Sequence, residues 1–103
     1  MTQRNANLIL NARTSAETYP EITLLDYRFD QNPTRGIAGS LTTGDSIILQ
    51  VSPCPLSGAS GDVWVTVGVY TSTTFADVFH GPWPRARVQK AGTAGAATVW
   101  IVG

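Results

Sequence analysis

Between residues 63 and 71 the chain reads VWVTVGVYT, with valine at every odd position (Val63, Val65, Val67, Val69) and Trp64, Thr66, Gly68 and Tyr70 between them. A period of two is the spacing of side chains that alternate across an extended strand, and β-branched residues pack well in that conformation. The pattern predicts a half-buried strand with Val65 and Val67 inside. It excludes a helix, which would place apolar residues at i, i+3, i+4 and i+7. A second strand, TFADVFH at 74–80, follows a Thr/Ser link and runs into His80-Gly81-Pro82-Trp83-Pro84. The two prolines fix φ and remove two amide donors, so no regular ladder passes through and the chain must turn there.

The same signals recur along the chain. Strand patterns occupy 6–12, 21–29, 36–41, 45–53, 85–91 and 97–103, separated by Asn32-Pro33, Thr43-Gly44-Asp45, Pro53-Cys54-Pro55, a Ser/Gly/Ala run at 57–62 and Gly92-Thr93-Ala94-Gly95. In 45–53, Ile47, Leu49 and Val51 share the face assigned to the core, with Ile48, Gln50 and Ser52 opposite. The best helical window, 13–19, is stopped by Tyr19-Pro20. About eight short strands without a helix predict an all-β chain, a single antiparallel β-sandwich. The last strand is apolar on both faces, since Val99 and Ile101 alternate with Trp100 and Val102. Such a strand is either central in its sheet or covered by a neighbouring subunit, and Val78 and Phe79 pose the same choice.

At 103 residues the chain holds one domain, placed at 6–103. The polar residues Met1, Thr2, Gln3, Arg4 and Asn5 form a loose arm that a partner can order. Seven basic and seven acidic residues give a formal charge of zero with no like-charge run, which disfavours nucleic acid, whose binders carry a basic stripe. No apolar run approaches the roughly 18 residues of a membrane span, and the opening MTQRNANLIL does not read as a signal peptide. The expectation is a soluble chain made in a cytoplasm. A single cysteine, Cys54, leaves no internal disulfide to form.

The side chains that carry chemistry are scattered. His80 is the only histidine. A serine-histidine-acid set could be drawn with Asp77, but no nucleophile-elbow motif supports it, and a three-residue offset puts Asp77 and His80 on opposite faces of a strand. One cysteine and one histidine do not complete a zinc site, and Cys54, between two prolines, has no visible base. Asp26, Asp30, Asp45 and Asp62 form no calcium-loop pattern and read as turn residues. The glycines at 92–95 lack the ending of a phosphate loop. Thus no catalytic residue, metal site or cofactor site is expected. Trp64, Trp83, Trp100 and Tyr70 suggest either a sugar-stacking platform or packing, with packing preferred.

From TGDSIILQVSP onward, the succession of SGDVWVTVGVYT, the threonine-rich link, the Gly81-Pro82-Trp83 corner, RARVQK and GTAGAATVWIVG resembles small virion proteins of tailed bacteriophages, of the head decoration (cement) or head-fibre type. The resemblance covers about 60 residues, and Pro53-Cys54-Pro55-Leu56 is a departure from its usual Gly-rich turn. It implies a jelly-roll-like sandwich, self-association as a homotrimer, and binding to the major capsid protein or other virion proteins, with the protein located on the capsid surface. Phe79, Trp83, Trp100 and Val102 are the candidate oligomer or capsid contacts. A glycan-binding module of a phage fibre is the alternative, and an enzyme of unknown type ranks third.

Overall fold

The computed structural model describes residues 6–19, 22–23, 34–54, 62–81 and 83–102, and every regular element among them is a strand. These are β1 (Ala6–Arg13), β2 (Ile22–Thr23), β3 (Thr34–Ser40), β4 (Ser46–Ser52), β5 (Val65–Tyr70), β6 (Thr74–His80), β7 (Arg85–Ala91) and β8 (Ala97–Val102). Apart from β2, described only at Ile22–Thr23, each falls where alternation and turn residues place it, within one or two positions. Most of the expected strand at 21–29, the arm Met1, Thr2, Gln3, Arg4 and Asn5, and the loop at 55–61 lie outside the described residues. The 13–19 segment is extended: Thr18 bridges Gln89, the Tyr19 amide donates to the Val88 carbonyl at 2.9 Å, and the Lys90 amide donates to the Glu17 carbonyl at 2.9 Å.

Two four-stranded sheets result, in the orders β1-β8-β3-β6 and β2-β7-β4-β5. The pairs β1/β8, β2/β7, β3/β6 and β4/β5 are all antiparallel. The chain is therefore doubled like one long hairpin with its tip between β4 and β5, and successive pairs roll into alternate sheets. That nesting is the jelly-roll arrangement. The inner faces meet in one core of Leu10, Ile37, Ile47, Leu49, Val51, Ala86, Val88, Val99 and Ile101 with their neighbours. β8 lies between β1 and β3, so its apolar inner set, Ala97, Val99 and Ile101, is fully covered within the chain. β3 passes close to β8 at Gly39, where a Cβ would strike the Thr98 carbonyl oxygen.

The valine stripe of β5 departs from expectation. Leu49 pairs with Gly68 but Gln50 pairs with Thr66, so Val67 is an extra residue, a β-bulge. A one-residue slip exchanges the two faces of a strand. Beyond the bulge, Tyr70 stands opposite the buried Ile47 and turns inward, while Val69 stands beside Ile48 on the outer face. Before it, Val65 lies opposite Val51, but β5 ends its sheet and nothing among the described residues closes over that side. Val65 and Val67, expected inside, are exposed, together with Val63 and Val69. Ile47, Leu49 and Val51, on a strand flanked by β5 and β7, are buried as the alternation predicts.

Candidate functional site

The polar side chains of the interior are committed to structure. On β7, Ala86, Val88 and Lys90 share the core-facing side, and Lys90 is fully buried. Its ammonium donates to Asp45 Oδ2 at 3.1 Å, the Thr14 carbonyl at 3.2 Å and the Gly92 carbonyl at 2.6 Å, three acceptors for three protons. Asp45 in turn accepts from the Ala94 amide at 2.9 Å and the Gly95 amide at 3.2 Å. The Ala94 hydrogen bond foremost, then Lys90 and Gly95, holds the Asp45 carboxyl below the usual carboxylate range against the opposing effect of burial. Gly92 has φ +94°, and a Cβ there would meet the Asp45 carboxylate.

A second cluster closes the other end of β7. The Arg85 guanidinium pairs with Asp62 and donates to Ser52 Oγ at 3.1 Å and to the Cys54 carbonyl at 2.7 Å, while Ser52 Oγ donates to Asp62 at 2.9 Å. The Trp64 ring lies against two guanidiniums, 4.2 Å from Arg87 and 4.9 Å from Arg85, and Arg87 also donates to Gln50 at 2.8 Å. Between the sheets, Tyr70 stacks on Phe75 at 4.8 Å, and its hydroxyl donates to Asp77 at 2.9 Å. Burial, then that carboxylate, raises the Tyr70 pKa.

Asp77 points toward Tyr70, whereas His80 stands on the other side of β6, exposed. The two do not meet as a base and its orienting acid. Among the described residues, no three of the His, Cys, Asp and Glu side chains gather in one place. The four aromatics of the sugar-platform reading also lie apart. Trp64 packs on the arginines, Trp83 folds against the core with its indole donating to the His80 carbonyl at 3.0 Å, Tyr70 faces inward, and Trp100 stands on the outer face of the β1-β8-β3-β6 sheet.

What the fold does assemble is a surface. Strand register aligns Leu8, Trp100, Ala38 and Ala76 across the β1-β8-β3-β6 sheet, and Val102, Gly36 and Val78 form the next row. Both rows lie on the outer face: Leu8 is 41% exposed, Trp100 40% and Val78 56%. The row beyond, Thr98, Ser40 and Thr74, is polar but uncharged. An open antiparallel sheet face ordinarily alternates to polar, so seven apolar or glycine positions in two adjoining rows are an exposed apolar patch.

No family model, curated protein or solved structure matches this chain.

Of the four contact candidates, Trp100 and Val102 lie on this face. Phe79 does not: it pairs with Arg35 on the inner side of β6 and is buried in the core, and only its neighbour Val78 faces out. Trp83 is half-buried at the corner, which Gly81 allows by adopting φ +123° beneath the indole. Sequence reasoning passed over Leu8, Ala38 and Ala76, whose common row depends on register between distant strands. It also passed over the Lys90–Asp45 and Arg85–Asp62 pairs. For Lys90 a signal existed, because a lysine in phase with Ala86 and Val88 on a half-buried strand occupies a core position.

Proposed function

We propose that this chain is a non-enzymatic structural protein of a tailed-bacteriophage particle, which decorates the capsid by binding the major capsid protein shell in many copies. The observation that carries this reading is the uncharged apolar face of Leu8, Trp100, Val102 and Val78 on one sheet. A contact of this kind is non-directional and scales with area. A footprint of four strands about 4.8 Å apart and five residues of about 3.3 Å each is roughly 300 Å². That is small beside the about 800 Å² per partner of a stable pairwise complex. Repetition over a shell compensates, because valency multiplies weak single contacts. Two further supports are the resemblance of the second half of the chain to phage virion proteins and the fold itself, since jelly rolls recur in viral capsid domains; the latter is analogy alone.

The test is cosedimentation with capsids that lack the protein. Wild type pellets with the shell, and the double variant Leu8→Asp, Trp100→Asp, folded by circular dichroism, loses at least tenfold in binding. Equal binding by the variant refutes the assigned face, and no binding by wild type refutes the role. The glycan-binding alternative is favoured by one feature, the exposed Trp100 on an outer sheet face, because lectin domains also use this architecture. Saturable binding of a defined oligosaccharide, abolished by Trp100→Ala, would select it.

A further inference from the structure

Each sheet ends in two edge strands, and an edge presents a row of unpaired amides and carbonyls to any strand that approaches. Two of these edges, β1 and β6, are blunted, and β2 is described only at Ile22–Thr23. β1 is interrupted by two register shifts and ends on the charged Arg13. On β6 the Asp77 carboxylate occupies the Val78 amide at 2.8 Å and places a negative charge between the sheets. β5 differs. It pairs only with β4, and among the described residues no strand lies on its far side. From residue 63 to residue 76 the chain carries no charge and no proline. Val63, Val65, Val67 and Val69 are between 40% and 59% exposed. Among the described residues its guard is the bulge at Val67, which interrupts the ladder for a single residue and leaves donors and acceptors on both sides of it.

We infer that β5 is a self-pairing strand: two copies of this chain join antiparallel through their β5 edges, so that two β2-β7-β4-β5 sheets continue into one. The occupant follows from the chemistry. A strand edge is matched along its length only by another strand. A charge-free segment in a chain of zero formal net charge meets its own copy without repulsion. Antiparallel pairing about a two-fold axis uses the same patch on both partners, sets valine beside valine across the junction, and closes without leaving a free end. The contact makes a dimer, in place of the trimer that the resemblance implies. It gives the proposed assembly role its self-contact and rests on that reading for its purpose, but its test needs no shell.

The 103-residue chain is measured by sedimentation over micromolar to submillimolar concentrations, alongside Val65→Lys and Val69→Lys variants checked for fold by circular dichroism. Wild type moves with concentration from the 11.0 kDa chain mass to twice that mass, and each lysine weakens the dimer at least tenfold. Hydrogen exchange on wild type, which needs no variant to fold, shows slowing of the amides of 65–70 as concentration rises. A monomer at every concentration overturns the inference. So does an oligomer, dimeric or trimeric, that survives both lysines, or one that Trp100→Asp dissolves while β5 exchange stays unchanged. A monomer that still pellets with capsids sinks this inference alone, and a β5 dimer that ignores capsids sinks the virion role alone.

Discussion

Valine to threonine replaces a methyl by a hydroxyl at nearly constant shape, so its effect reports whether a site is dry. Val51 is fully buried and Val67, also in a period-two valine pattern, is 40% exposed on the bulge. In Val51→Thr the hydroxyl enters an apolar interior, which costs about 1–3 kcal/mol. In Val67→Thr the hydroxyl meets water, and the change stays within about 0.5 kcal/mol. For a domain of this size 1 kcal/mol moves Tm by about 4–8 °C. Val51→Thr is therefore expected to melt about 5–20 °C lower, and Val67→Thr within about 4 °C of wild type. The measurement is thermal unfolding followed by circular dichroism at low micromolar concentration, with Val69→Thr as a second outward site. Equal losses at positions 51 and 67 would refute the bulge and restore the one-sided valine face that alternation alone suggests.

Because the Asp45 carboxyl is held below its ordinary value in the folded chain, its stabilisation is complete above the unfolded pKa of about 3.9 and is lost as pH falls through the lower folded value. Tm recorded between pH 6 and pH 2 should fall most steeply below about pH 4. Asp45→Asn should melt lower at neutral pH, with Lys90 left buried beside a neutral group, and show a shallower slope in the acid range. A slope unchanged in the variant would remove Asp45 as its source. Gly39→Ala forces a Cβ into the β8 backbone at Thr98 and should abolish the cooperative melt, whereas at Gly36 a Cβ meets only the Asp77 carbonyl at 3.6 Å, and Gly36→Ala should fold. Similar melting of the two variants would contradict the close approach of β3 to β8.

The strand content of this protein is legible residue by residue, because alternation, Gly and Pro act on the backbone locally: β6 and β7 begin and end where the pattern says, and the core side of β4 follows from Ile47, Leu49 and Val51. Sidedness at an edge is not local. The exposure of Val67 depends on one residue of slip against β4, and that of Val65 on β5 having no further strand beyond it among the described residues, neither of which is written in 63–71 itself. The same holds for the surface offered as the docking face. Leu8, Trp100, Ala38 and Ala76 come from four separate strands and become neighbours only when β8 inserts between β1 and β3. Lys90 finds Asp45, 45 positions away along the chain, in the same way. Backbone preference is a property of a short segment, so the sequence by itself determines what becomes strand. Register is a relation between segments far apart, so only the tertiary structure decides which side of each strand meets water.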